Sequence, residues 1–115
     1  MATNLRPVLT IRIFRDEKCY GRGIHELLQR VDELHSLRAA AQSMEMAYSK
    51  AWTIVRQCEQ ELGFPLLHSV TGGKHGGGAT VTQEARQIME TYERFICRMQ
   101  EVTQKIFQEE FQEYL

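Results

Sequence analysis

Apolar residues recur at intervals of three and four through the middle of the chain, which is the spacing of amphipathic helices. The first such run spans Ile24–Leu34. Ser36 is a favourable N-cap residue and predicts a second, alanine-rich helix over Leu37–Met44. After a tight turn, a third helix is predicted over Tyr48–Leu62, and Gly63 ends it. The pattern therefore predicts three helices in close succession.

Alternating apolar and polar positions predict three short strands around these helices. Leu9–Phe14 alternates in this way and is rich in β-branched residues, which is typical of a half-buried strand. A polar break over 16–23 follows it. The other two strands, Leu66–Val70 and Ala79–Thr82, flank the glycine-dense segment TGGKHGGG. They predict a β-hairpin with a long tip.

A last helix is predicted from Thr82, Gln83 and Glu84 to the C-terminus. Its apolar positions step by three and four in alternation, as in a coiled-coil seam: Ala85, Ile88, Tyr92, Phe95, Met99, Val102 and Ile106. About 30 helical residues extend roughly 45 Å, further than a domain of this size can cover. We therefore expect the seam to form a homodimer, the alternative being a helix folded back on its own domain.

The order of elements is strand, three helices, hairpin and long helix, which predicts a winged helix-turn-helix. The expected fold class is mainly α with a small β component. Residues 1–82 form the predicted DNA-binding domain and residues 83–115 the predicted dimerisation helix. The polar face of the third helix and the hairpin tip are the candidate contacts to double-stranded DNA: Tyr48, Ser49, Lys50, Thr53, Arg56, Thr71, Lys74, His75, Gly76 and Gly77.

These assignments have plainer alternatives. If the third helix stood alone, Lys50 and Arg56 would fit an ordinary solvated face as well as a DNA contact, but the order of elements favours the DNA contact. Trp52 and Tyr48 both suit packing at the edge of the core, and this is the expectation for Trp52. For Tyr48 the alternative is that its hydroxyl contacts a phosphate. A nucleotide-binding loop would need Gly-Lys-Ser/Thr before a helix, but Lys74 precedes His75 and a strand. The glycine run is therefore either a DNA-contacting tip or a loop without function.

Composition and charge restrict the class of protein more than its function. The chain has 115 residues, enough for one domain, and a formal net charge of −1. Residues 1–78 contain ten Lys/Arg and eight Asp/Glu, and residues 79–115 contain four and seven. A near-neutral total is compatible with DNA binding because only the contacting face must be positive. Three separated cysteines, without a secretory or membrane-spanning segment, predict a soluble cytoplasmic protein.

No arrangement of residues in the sequence predicts catalysis or a metal site. The four histidines and three cysteines fall on different predicted elements, without an HExxH or CxxC motif. No serine or cysteine lies in a nucleophile-elbow context. We expect no enzyme activity and no cofactor.

Three segments resemble one family of regulators. They are GRGIHELLQRVDELHSLRAAA at 21–41, AAAQSMEMAYSKAW at 39–52 and PLLHSVTGGKHGGGATVT at 65–82. Together they resemble the N-terminal DNA-binding domain of ModE, the molybdate-responsive transcriptional regulator, whose helix-turn-helix is related to that of LysR-type regulators. The combination of Tyr-x-x-Ala-Trp with a Gly-Gly-x-x-Gly-Gly-Gly-Ala tip is specific.

The resemblance implies a homodimeric winged-helix regulator of transcription. It places the start of the DNA-contacting helix at Tyr48, Ser49 and Lys50, and the wing at Thr71–Ala79. Ala47 departs from the family's usual N-capping serine. The family's C-terminal molybdate-binding domains find no counterpart before Leu115, so we expect no small-molecule ligand. The alternative function is a protein-interaction adaptor or antagonist that forms mixed dimers with a full-length regulator.

Overall fold

A computed structural model describes residues 4–70 and 78–115. The strands are β1 (Ile13–Phe14), β2 (Lys18–Tyr20), β3 (Leu67–Val70) and β4 (Gly78–Val81). The helices are α1 (Arg22–Leu34), α2 (Leu37–Ser43), α3 (Tyr48–Leu62) and α4 (Gln83–Glu110), and a 3₁₀ turn follows over Gln112–Tyr114. β1 pairs with β2 and β3 with β4, both antiparallel. The predicted class, a winged helix-turn-helix with a long C-terminal helix, is confirmed.

The N-terminal segment differs from its prediction. Strand structure is confined to Ile13–Phe14, so the predicted strand over Leu9–Phe14 is wrong for its first four residues. The expected polar break contains β2, whose Cys19 and Tyr20 are buried. The backbone of residues 9–12 instead runs beside α4, where the carbonyl of Ile11 accepts a hydrogen bond from the Tyr92 hydroxyl at 2.8 Å. Tertiary contacts, and not the local alternation, determine this segment.

The helix boundaries follow their capping residues. Ser36 caps α2 as predicted, since its hydroxyl oxygen accepts a hydrogen bond from the Ala39 amide at 3.0 Å. Gly63 ends α3 in the left-handed conformation, with φ of 86°. α3 begins after Ala47 without any side-chain cap. α4 stops at Glu110 and does not continue to the C-terminus.

One core joins α1, α2, α3 and the two sheets to the first part of α4. Leu27, Leu28 and Val31 of α1 are fully buried, and Ala40 and Ala41 let α2 approach closely. These buried positions recur at helical spacing, as the sequence predicted. The apolar faces of α1, α2 and α3 and of the first part of α4 are thereby removed from water, which is the main contribution to the stability of the domain.

The N-terminal sheet, α1 and α4 meet at a polar junction. The Tyr20 hydroxyl is hydrogen-bonded to Nδ1 of His25 at 2.7 Å, and the Glu93 carboxylate accepts a hydrogen bond from Nε2 of His25 at 3.2 Å. Burial raises the pKa of Tyr20 above its usual value. A second link joins α4 to α1, because the Arg86 guanidinium bonds both carboxylate oxygens of Asp32 at 2.7 and 3.2 Å.

None of the helices within residues 4–70 and 78–115 is long and apolar enough to cross a membrane.

Candidate nucleic-acid interface

The buried face of α3 determines which of its side chains are exposed. Ala51, Val55 and Cys58 face the core, so the side chains between them point outward. Burial raises the pKa of the Cys58 thiol to about 11, although the nearby Lys18 opposes the shift. The Cys58 thiol is therefore protonated at neutral pH and contributes to the core as a small apolar group.

The five predicted DNA-contacting residues of α3 are all exposed. They lie within the first nine residues of the helix: Tyr48, Ser49, Lys50, Thr53 and Arg56. The Thr53 hydroxyl donates to the Ser49 carbonyl at 2.9 Å. Its oxygen therefore remains free to accept a hydrogen bond, which suits the amino group of adenine or cytosine in the major groove.

Trp52 is exposed, contrary to the expectation that it packs at the edge of the core. Its side chain is 46% accessible, and it lies one helical turn from both Tyr48 and Arg56 on the same face. The Arg56 guanidinium carbon lies 4.9 Å above the indole. The sequence pattern could not distinguish this position from a core position, because Val55, one helical turn further along α3, is buried.

A second arginine covers the other exposed ring of α3. The guanidinium carbon of Arg38, on α2, lies 4.3 Å from the centre of the Tyr48 ring. Tyr48 is 39% exposed. Sequence reasoning missed Arg38, because a single arginine on a short helix carries no signal of its partner. The two cation–π pairs give this face of the molecule both positive charge and ordered aromatic surface.

Glu59 links this face to the hairpin. One carboxylate oxygen accepts from Arg56 at 3.2 Å, and the other accepts from the Leu66 and Leu67 amides at 2.7 and 3.4 Å. The Glu59 side chain is only 12% exposed. Its two oxygens thus hold the Arg56 side chain and the start of β3 in one arrangement. Glu59 is not among the residues predicted for the site, because its position in the pattern is that of an ordinary solvated glutamate on a helix.

A groove of about 390 Å³ separates the exposed face of α3 from the hairpin. It is lined on the α3 side by Tyr48, Trp52 and Arg56, and on the hairpin side by Ser69 and Gly78. The structure therefore brings the α3 residues beside the base of the predicted wing. The wing residues Thr71, Lys74, His75, Gly76 and Gly77 lie outside the described residues.

The predicted dimerisation seam divides into two parts. Ala85 and Tyr92 are buried within this chain, and Ile88 packs against the same core. Phe95, Val102 and Ile106 are exposed, and Met99 is partly exposed; these four residues are called the distal seam below. Dimerisation through it remains a prediction.

Among the residues the structure describes, no group of three or more His, Cys, Asp or Glu could hold a metal ion. Every buried side-chain nitrogen and oxygen in that part of the chain has a hydrogen-bond partner.

Residues 25–86 match the family described as "Bacterial regulatory helix-turn-helix protein, lysR family". The matched segment covers more than half of the chain and contains α2, α3 and both hairpin strands.

Three curated proteins are similar to the chain. "Transcriptional regulator ModE" of Haemophilus influenzae is 32% identical over 84 residues, which are 73% of this chain and 32% of that protein. "Molybdenum-pterin-binding protein MopB" of Rhodobacter capsulatus is 32% identical over 66 residues, 57% of this chain and 24% of the relative. "Molybdenum transport protein ModE" of Azotobacter vinelandii is 30% identical over 66 residues, with the same two shares. The chain therefore spans between about a quarter and a third of the length of these relatives, and the predicted resemblance to a ModE-like DNA-binding domain is confirmed.

Proposed function

Because this chain belongs to the LysR family of bacterial regulatory helix-turn-helix proteins, we propose that it binds a pseudo-palindromic operator as a homodimer. The observation that supports this function best is the exposed face of α3 beside the wing. Lys50, Thr53 and Arg56 offer one positive charge, one acceptor and a fork of donors within two helical turns. Base edges in the major groove carry the complementary groups.

Phosphate contacts come from the surrounding residues. The first turn of α3 carries the positive end of the helix dipole, and no side chain caps it, because Ala47 has no side-chain oxygen. Arg38 adds a positive charge at the same end. The glycine-rich segment and Lys74 at the tip of the hairpin are the proposed phosphate contacts on the other side, because the sequence offers backbone amides without Cβ atoms and a positive charge there.

Homodimerisation supplies a second copy of α3, which contacts the second half-site of the operator. The distal seam exposes apolar surface on a helix of 28 residues, and Val102 and Ile106 are 52% and 51% accessible. Pairing this surface with a second copy removes it from water and relates the two α3 helices by a two-fold axis. The expected operator therefore has two half-sites separated by about one helical turn of DNA or a multiple of it.

Fluorescence-anisotropy titration of the purified chain tests the DNA-binding function. Duplexes selected from a random library and shuffled duplexes of equal composition are compared at two salt concentrations. We expect sequence-selective binding that weakens as salt rises, because bound phosphates release counterions. Equal affinity for selected and shuffled duplexes would overturn the proposal and favour the adaptor function.

Analytical ultracentrifugation tests the dimer. The double variant Val102→Asp and Ile106→Asp places charges in the distal seam, and we expect it to be monomeric and to bind the operator more weakly. Gln108→Asp adds the same kind of charge at an exposed polar position of α4 and is the matched control. A double variant that remains dimeric would remove the distal seam from the dimer interface.

A further inference from the structure

Trp52 is placed where a major-groove contact would be made, yet it offers mostly apolar surface. It lies between Tyr48 and Arg56 on the exposed face of α3 and lines the groove beside the hairpin. Its neighbours Ala51 and Val55 contribute the buried contacts of this part of the helix. The indole is therefore available to a partner rather than required by the core.

The indole is held in one orientation before any partner arrives. The Arg56 guanidinium covers it at 4.9 Å, and the Arg56 side chain is itself bonded to the largely buried Glu59. Glu59 is in turn fixed by the Leu66 and Leu67 amides. A ring ordered in this way loses little conformational entropy on binding, so contact with it contributes more to affinity.

The chemistry of the major groove limits what such a ring can contact. Its base edges present hydrogen-bonding groups at every pair and one apolar group, the C5 methyl of thymine. A large apolar ring gains from covering that methyl group, whereas covering a donor or acceptor would leave it without water. The indole N–H is its only polar atom able to donate to an acceptor instead.

We propose that Trp52 is a specificity-determining residue that contacts the C5 methyl of a thymine in each half-site. The proposal rests on the proposed function, since it requires α3 to enter the major groove. It adds a sequence preference for thymine at one position, set by apolar contact rather than by hydrogen bonding.

Replacing thymine with deoxyuridine removes only the methyl group and tests the contact directly. The wild-type chain is first used to select a duplex from a random library, and each thymine of that duplex is then replaced singly. At one position per half-site we expect the affinity of the wild-type chain to fall about fourfold, the change expected for one methyl group removed from water. The Trp52→Ala variant should bind more weakly overall and show no further loss at that position.

Two variants control the experiment. Phe14→Ala removes another exposed ring that lies under an arginine, Arg12 at 6.0 Å, but on the N-terminal hairpin; it should respond to deoxyuridine as the wild type does. Trp52→Phe keeps an apolar ring and should keep part of the response. The thermal unfolding midpoint of Trp52→Ala should be close to that of the wild type, because the side chain is exposed.

The possible outcomes distinguish a failure of the methyl contact from a failure of the proposed DNA-binding function. Selective binding by the wild type without any deoxyuridine effect would overturn the methyl contact and leave DNA binding intact, with the indole N–H or a phosphate as the contact. A deoxyuridine effect of equal size in Trp52→Ala would assign the methyl contact to another residue. Failure of the wild type to select any sequence would overturn the proposed function itself.

Discussion

The backbone carbonyl of His35 accepts a hydrogen bond from the Ala79 amide at 3.0 Å, and it thereby fixes the corner between α1 and α2 to the base of the wing. His35 ends α1 in the left-handed conformation, with φ of 56°. That conformation turns its carbonyl towards β4. The orientation of the hairpin relative to the helices therefore depends on two backbone groups far apart in sequence.

Gly78 makes this approach possible. A Cβ atom built on Gly78 would lie 2.6 Å from the His35 carbonyl oxygen, well inside any real contact distance. We expect Gly78→Ala to displace β4, to break the hydrogen bond between His35 and Ala79, and to destabilise the domain by about 1–3 kcal/mol. Chemical denaturation measures this loss of unfolding free energy.

Gly23→Ala is the matched control for that substitution. A Cβ on Gly23 meets no other atom within 4 Å, and the residue lies in the first turn of α1. Alanine there should be neutral or stabilising by about 0.5–1 kcal/mol, because it reduces the freedom of the unfolded chain. Equal destabilisation by the two alanines would contradict the packing argument for Gly78.

Thr82 connects the hairpin to α4, and its hydroxyl is the group that does so. The side chain is 1% exposed. Its hydroxyl donates to the Pro65 carbonyl at 2.7 Å and accepts from the Ala85 amide at 2.9 Å, which caps α4. Thr82→Val keeps the shape of the side chain but leaves both partners unsatisfied, and we expect a loss of about 2–4 kcal/mol in unfolding free energy. Thr82→Ser keeps the hydroxyl and should retain most of the stability; a loss in Thr82→Ser without a loss in Thr82→Val would point to packing of the methyl group rather than hydrogen bonding.

Glu59 should affect both stability and DNA binding. In Glu59→Gln the negative charge is lost, and one of the two oxygens that accept hydrogen bonds becomes a donor. We expect a loss of about 1–3 kcal/mol in unfolding free energy and weaker operator binding, because Arg56 is no longer held over Trp52. Glu61→Gln removes the same charge from the same helix and is the control. Operator affinity unchanged in Glu59→Gln would show that the position of Arg56 is irrelevant to DNA binding.

The sequence predicts the helices well because each has a strong local signal. The bounds of α3 agree with their prediction at both ends, since the apolar stripe and Gly63 specify them. The failures occur where long-range contacts decide. Residues 9–12 alternate like a strand, but their partner is the Tyr92 hydroxyl rather than a neighbouring strand. The exposed residues of α3 could be predicted from helical periodicity. The role of Glu59 could not, because it accepts a hydrogen bond from the backbone amide of Leu66, which lies after the end of the helix.

Burial of Cys58 predicts that the domain loses stability at alkaline pH. Its pKa is about 11 in the folded chain, against 9.0 for an ordinary cysteine. A proton held more tightly in the folded state stabilises it fully below about pH 9, and this contribution is lost as the pH rises to about 11. The raised pKa of Tyr20 acts in the same direction at higher pH. Unfolding free energies measured from pH 8 to 11 should therefore fall, and less steeply in Cys58→Ala than in the wild type.

Val55→Ala controls for the cavity that Cys58→Ala creates. Val55 is buried one turn earlier on the same face of α3 and does not titrate. The variant should lower the unfolding free energy at every pH while keeping the wild-type slope. Identical slopes for the wild type and Cys58→Ala would exclude the thiol as the titrating group.

Lys50 distinguishes base contact from phosphate contact. It is exposed in the first turn of α3 and takes part in neither of the two cation–π pairs, which involve Arg38 and Arg56. If its ammonium group binds a base, Lys50→Ala should weaken operator binding by about 1–3 kcal/mol and relax the preference at one position. If it binds a phosphate, the loss should be similar for selected and shuffled duplexes, and the slope of log affinity against log salt should decrease by about one.

Lys105→Ala, on the far part of α4, removes an equal charge and should change neither the affinity nor the salt slope. An unchanged affinity in Lys50→Ala would instead place the DNA against the second turn of α3, and would shift the contact surface towards Trp52 and Arg56.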